Sequence, residues 1–256
     1  MDYDRLLSLS ANLGYGLLES GAEIYRVEES IQRLLQAYGI TQVDPFVIPN
    51  CIIVSMVTPE GVTMTQVRRM PSHGTDIDLL ERYNDLCRKL CREVPPLEVA
   101  EAGLRQIDEN RRQYPAWELM VAYMVAGAAF TLFFKGSVRD ALCGALCGLA
   151  VGLAVTAMTR LRANLFFKSM VGAFLSALLA LGLTQVGLGQ SSDKIIIGAL
   201  MALVPGLIFT NAIRDVMAGD MMAGISKIAD ALLIGVSVAL GTAVALGLTR
   251  LLWGGG

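Results

Sequence analysis

At 256 residues, with a formal net charge of −2 and 54% hydrophobic residues, the chain has a mean hydropathy of +0.54, too apolar for a soluble protein of this length. The near-neutral charge argues neither for a nucleic-acid partner nor for a surface built for acidic substrates, and no nucleic-acid partner is expected. The apolar residues are unevenly placed. Residues 1–114 hold 17 of the 23 acidic and 12 of the 21 basic residues, and the remainder is mostly Leu, Ala, Gly, Val and Met. This reads as an N-terminal α+β domain over 1–114, followed by a transmembrane helical domain over 115–256. The start, MDYDRLLSLSANLGYG, is acidic and amphipathic without a basic n-region, so it is not read as a secretory signal.

Leu6, Leu9, Leu13 and Leu17 repeat at helical spacing, and Ile24, Val27, Ile31, Leu34 and Tyr38 do so again. Gly21 separates the two helices and Gly39 stops the second. CIIVSMVT and VTMTQVRRM, joined by Pro59-Glu60-Gly61, read as an antiparallel hairpin. VDPFVI adds a strand, which Pro45 places at an edge. Two amphipathic helices follow, one through Leu79, Tyr83, Leu86 and Leu90 and one through Leu97, Leu104 and Ile107, split by Pro95-Pro96.

From Pro115 onward five apolar runs are long enough to cross a membrane: 117–134, 141–158, 165–183, 195–213 and 228–248. Trp117 and Trp253 bracket the block as interfacial anchors. Arg105, Arg111, Arg112, Arg160, Arg162, Lys168, Arg214 and Lys227 fall on one side, against Lys135, Arg139, Lys194 and Arg250 on the other. The positive-inside rule then puts the N-terminus in the cytoplasm and the C-terminus outside. Gly144, Gly148 and Gly152 in the second span, and Gly172, Ser176 and Ala180 in the third, make small-residue faces for close packing. They are more such surface than five helices readily use among themselves.

The fourth run contains Pro205-Gly206 at mid-span and ends in Thr210, Asn211, Arg214, Asp215, Gly219 and Asp220, with Gly224 and Asp230 following. Pro205 removes a backbone donor and breaks the helix, and Gly206 permits an opened backbone. In a bilayer irregular backbone persists only where it is buried in protein or lines a wet cavity, as in transporters with midplane sites. Asn211 and Asp215 share one helix face, and Thr210 and Arg214 an adjacent one. Asn211 is suited to hydrogen-bond substrate or backbone, and Asp215 to meet an ammonium or carry a proton. Arg214 can pair with a substrate carboxylate or with Asp220. The simpler alternative is a proline kink with snorkelling charges.

VPGLIFTNAIRDVMAGDMMAGISKIADALL resembles the signature of the threonine/serine exporter (ThrE) family, which runs approximately PG…TNAIRD…GD…SG…R…EA. SGAEIYRVEESIQRLLQAYG is similar to that family's N-terminal motif, and Arg68-Arg69 closes its hairpin. Ala223-Gly224 stands for SG, Lys227 for the arginine and Asp230 for the glutamate. The resemblance implies a secondary transporter in a bacterial plasma (inner) membrane that exports threonine/serine-type amino acids or dicarboxylates such as succinate. Full-length members carry a second membrane half. This chain resembles the short split form, which implies a small separate membrane subunit as partner in a hetero-oligomer, with a homo-oligomer as the alternative. The resemblance also points to Gly21, Glu23, Arg26 and Glu28 as the coupling between soluble and membrane parts.

No GxGxxG, Walker, HExxH or GxSxG pattern is present, which argues against an enzyme, a cofactor and an ATP-driven pump. His73, the single histidine, has no partner at recognisable spacing, and the five cysteines read as packing residues, with no metal site expected. The rival reading is a membrane-tethered sensor or enzyme whose α+β domain binds a ligand.

Overall fold

A computed structural model describes residues 1–71, 74–112 and 114–253. His73 lies outside the described residues. The chain is mostly helical, with one three-stranded sheet near its N-terminus, and divides into two compact units. The first comprises Met1–Arg112 and Leu207–Ile228, and the second Gln113–Gly206 and Ala229–Gly256.

In the first unit, α1 (Tyr3–Glu19) and α2 (Ile24–Ala37) bury the predicted stripes: Leu6, Leu13, Ile24, Val27, Ile31 and Leu34 are fully buried. Gly16 receives the Tyr83 ring, since a Cβ there would come within 2.6 Å of Tyr83 Cε1. β1 (Gln42–Ile48), β2 (Cys51–Val57) and β3 (Thr63–Arg69) form an antiparallel meander in the order β1-β2-β3. Pro45 sits on the outer strand opposite Val54, where its missing N–H disturbs no ladder. Alternation along the central strand sends Ile52, Val54 and Met56 into the core. α3 (Ile77–Glu93) and α4 (Leu97–Glu109) close that core with Leu79, Tyr83, Leu90, Ala100 and Leu104.

The same unit includes α9 (Gly206–Ala218) from Leu207 onward and the first turns of α10 (Met221–Trp253). Ala223, 2% exposed, belongs to the core formed by α1–α4 and the sheet. Gly219, with φ at +101°, makes the left-handed turn between α9 and α10. Gly224 lets the two helices close together, as a Cβ would meet the Ala212 carbonyl oxygen at 2.9 Å.

The second unit holds α5 (Ala116–Phe133), α6 (Val138–Arg160), α7 (Leu165–Gln185), α8 (Ser192–Leu200) with a 3-10 turn (Met201–Leu203), and the rest of α10. Among the described residues four helices, α5, α6, α7 and α10, are long and apolar enough to cross a membrane, or five spans result if the bent pair α8 and α9 counts as one. α8 and its turn measure only about 20 Å, short of the ~30 Å hydrocarbon core. α10, at 33 residues, runs about 50 Å.

The small-residue faces are used inside this unit. Gly144, Gly148 and Gly152 abut Gly127, Tyr123 and Met120 of α5. Thr131, fully buried, is wedged between Gly144 of α6 and Gly198 of α8. On α7, Gly172 meets Leu203 and Val151, Ser176 and Ala180 are fully buried, and Ala173 lies where Gly241 of α10 approaches. The expectation that these rows exceed internal need is corrected: five helix segments absorb them, because broken α8 packs against α5, α6 and α7 at once.

Candidate functional site

The site begins at the turn between α1 and α2. Gly21 has φ at +96°, and a Cβ there would meet the Gly74 carbonyl oxygen at 2.9 Å, so both conformation and space demand glycine. The chain then extends through Glu23, the N-cap of α2, whose side chain caps nothing. The first helical N–H, on Ile24, donates instead to Asp215 Oδ1 (3.3 Å), 191 residues along the chain. An anion at a helix N-terminus satisfies an orphan donor and meets the positive end of the helix dipole.

α9 supplies its partners at one-turn spacing. Asn211 Nδ2 donates to the Gly21 carbonyl oxygen (3.4 Å), and Arg214 pairs with Glu23 Oε1. Asp215 is fully buried, and Lys227 Nζ, on α10, donates to its Oδ2 at 2.7 Å. Glu23 also holds Arg26 Nε at 3.2 Å. Burial pushes the Glu23 carboxyl up, but Arg214, its own backbone N–H and Arg26 together hold it below the usual carboxylate range. Glu28, one turn further along α2, accepts the Val47 N–H (2.8 Å) and ties α2 to β1. Burial raises the Glu28 carboxyl, Val47 offsets part of that, and nearby Asp220 and Asp44 push it up again.

Gly21, Glu23, Arg26, Asn211, Arg214 and Asp215 thus form one polar network closed by Lys227. Arg214 contacts Glu23, not Asp220. The periodicity of α9 put Asn211 and Asp215 on one face, but that face is occupied by the α1–α2 turn. Gly219 and Gly224 shape the α9–α10 turn around it, and Asp220, partly buried, stands at the start of α10.

Thr210 lies on an exposed surface of α9. In the second unit, α8 ends in the 3-10 turn, Val204 is extended (ψ 125°) and Pro205 follows, which explains the break. At Gly206 an added Cβ would touch nothing within 4 Å, so neither space nor a left-handed φ requires glycine there. Asp230 is partly exposed on α10.

Two polar residues went unread in the sequence. Asp140 of α6, 1% exposed, accepts the N–H groups of Gln190 (2.6 Å), Ser191 (3.1 Å) and Ser137 (2.9 Å). The Ser137-x-x-Asp140 capping box at the helix start was the available signal. Lys227 enters the sequence reading as one of the basic residues that set orientation and as a substitution within a motif, and no local pattern marks it as the partner of Asp215. Among the described residues no cluster of His, Cys, Asp or Glu could hold a metal ion.

Residues 8–249 match the family described as "Putative threonine/serine exporter" (ThrE). The chain belongs to this family. It is 20% identical to a "Probable threonine/serine exporter" of Mycobacterium tuberculosis over 94% of this chain and 46% of that protein. It is 22% identical to the "Threonine/serine exporter" of Corynebacterium glutamicum, over 96% and 52%. The chain spans about half the length of these two. Against the "Probable succinate transporter subunit YjjP" of Escherichia coli it is 24% identical over 93% of this chain and 92% of the relative. No solved structure matches. ThrE membership together with four to five membrane-capable helices makes this a multi-pass membrane protein. Gly21 and Glu23 of the SGAE stretch, with the following Ile24, meet Asn211, Arg214 and Asp215 of the TNAIRD stretch in the site.

Proposed function

We propose that the chain is a secondary transporter subunit, not an enzyme, that exports small carboxylate-bearing metabolites across a bacterial plasma membrane. The substrates are threonine/serine-type amino acids or dicarboxylates such as succinate, the two classes named among its relatives. Residues 1–114 are cytoplasmic, residues 115–256 cross the membrane, and the C-terminus faces out. The observation that carries this reading is the broken α8–α9 segment leading into a helix whose charged groups hold the α1–α2 turn. Broken helices near ionisable groups are the usual architecture of a transport path.

In this reading Pro205 and Gly206, where the helix breaks, and the polar residues Thr210, Asp220 and Asp230 take part in transport. Asp215 and Lys227 fix α9 against α2. Arg214 is the exchangeable group: its side chain is 52% exposed, whereas that of Glu23 is 9% exposed. An arriving substrate carboxylate competes with Glu23 for this guanidinium, and its arrival loosens the α1–α2 turn from α9. Gly21, Glu23, Arg26 and Glu28 thereby couple substrate to the soluble domain.

The active form is a hetero-oligomer with a small separate membrane subunit, since the relatives of matching length are named as transporter subunits. Counterflow in proteoliposomes tests this, with labelled threonine, serine and succinate, and with or without the co-purified partner. Uptake only with the partner present is the expected result. Robust counterflow by this polypeptide alone would reject the hetero-oligomer, and none under either condition would reject the transporter assignment.

A further inference from the structure

The first unit has a second polar feature, which shares Arg26 with the site above and extends from it along α2 to α3. α2 and α3 flank a cleft of about 540 Å3, within the range of small-molecule sites. Its walls carry Arg26 and Arg33 from α2 and Arg88 and Arg92 from α3, with Glu29 as the one carboxylate of the lining and Glu23, outside it, pairing with Arg26 at 3.2 Å. This concentration of positive charge stands in a segment whose acids outnumber its bases, within a chain of net charge −2.

The arrangement opposes the protein's own stability. Arg88 and Arg92 are like charges at i,i+4, a destabilising spacing on a helix, and Arg33 adds to them from across the cleft. Glu29 satisfies Arg33 at 2.6 Å, and Arg92 reaches Glu93 only at 3.7 Å. Among the described residues Arg88 makes no ion pair. The arginines remain accessible, with Arg26, Arg33 and Arg92 side chains 54%, 68% and 78% exposed. The floor is neutral: Cys87 Sγ donates to the Ser30 carbonyl oxygen (3.8 Å), and burial pushes its thiol up to about 12.

We infer that the α2–α3 cleft is a binding site for a multivalent phosphate-bearing anion, held by Arg26, Arg33, Arg88 and Arg92. Planar guanidinium forks match phosphate oxygens in pairs, and a bound polyanion removes the repulsion between the two walls. A monocarboxylate would leave most of that charge uncompensated. The ligand is either a free phosphorylated metabolite or the headgroup of an anionic lipid. This site goes beyond the transport reading and does not depend on it.

The test uses the full chain in neutral detergent and in nanodiscs, with tripolyphosphate as the soluble probe. Saturable binding of tripolyphosphate, weakened about tenfold by Arg88→Gln and further by Arg88→Gln/Arg92→Gln, supports a free ligand. Stabilisation only in nanodiscs containing an anionic phospholipid, and not in neutral ones, with the same loss in the arginine variants, supports the headgroup. Lys89→Gln is the control, because it removes a positive charge from α3 outside the cleft. Equal losses in Lys89→Gln and Arg88→Gln, or no response to either probe, would overturn the proposal. Circular dichroism of each variant verifies that the fold is retained, and Arg88→Lys, which keeps charge but not the fork, should bind with intermediate affinity.

Discussion

Lys227 donates to Asp215 at 2.7 Å in surroundings that leave the aspartate fully buried and the lysine 7% exposed. Breaking one side of such a pair costs about 3–5 kcal/mol, because the remaining charge stays buried without a counter-ion. Lys227→Met should therefore lower thermal stability in detergent markedly. Asp215→Asn keeps an oxygen for the Ile24 N–H but abandons the lysine, and should lower stability too. The double variant should recover much of the loss. Additive destabilisation in that cycle would mean the two residues do not act as a pair.

The two glutamates of α2 predict opposite pH behaviour. The Glu23 carboxyl is held below its ordinary value, so its contribution is present above about pH 4.5 and lost as pH falls through the lower folded value. Glu28 is raised, so stability is lost as pH rises from about 4.5 through its higher folded value. Glu23→Gln should flatten the acid limb of a stability profile. Glu28→Gln, which still offers an oxygen to the Val47 N–H, should stabilise the protein at neutral pH. Identical profiles for both variants would contradict the assigned environments.

Pro205→Ala with Gly206→Ala tests the helix break. A Cβ at Gly206 meets nothing within 4 Å, so the change introduces no clash, and alanine restores a donor and helix propensity. The pair should be neutral or stabilising in thermal denaturation and should reduce counterflow at least tenfold. Unaltered transport would place the path elsewhere.

Gly148→Leu separates internal packing from partner binding. The Gly148 Cα faces the Tyr123 backbone, and a Cβ would stand 3.0 Å from the Tyr123 carbonyl carbon. Overpacking there should cost about 1–3 kcal/mol or more within this chain. Reduced stability of the isolated subunit is expected. A subunit of normal stability that fails to retain its partner would assign the face to the interface instead.

Reporter fusions at Met1 and after Gly256 settle the parity of spans. The proposed five crossings require a cytoplasmic signal at the first and an external one at the second. The same signal at both would make α8 and α9 a re-entrant pair.

The elements were legible wherever one physical rule decided them. Leu6, Leu9, Leu13 and Leu17 repeat because a helix buries one stripe, and Pro45 marks an edge strand because it lacks a donor. The start of α10 was not legible. The expected span began at 228 because Asp220 and Lys227 interrupt the apolar run, yet the helix begins at Met221, with Lys227 neutralised by Asp215 and Ala223 in a core. The site was half legible for the same reason. Periodicity states which α9 residues share a face, but the groups they touch, Gly21 and Ile24, lie about 190 residues away. No local spacing encodes such a pairing.

The first unit is assembled from two stretches separated by about 95 residues, and this has a consequence for biosynthesis. When Arg112 leaves the ribosome, the α2 N-terminus has no Asp215 to cap it and the core has no Ala223. At ~5–20 residues per second the missing pieces arrive roughly 5–20 s later, after α5, α6 and α7 have been made. The nascent N-terminal segment therefore waits, incompletely closed, while the apolar helices emerge. A fragment ending at 114 should be more protease-sensitive than the same residues in the finished chain. Completion of this unit would then report that the membrane helices between its two parts have already been delivered.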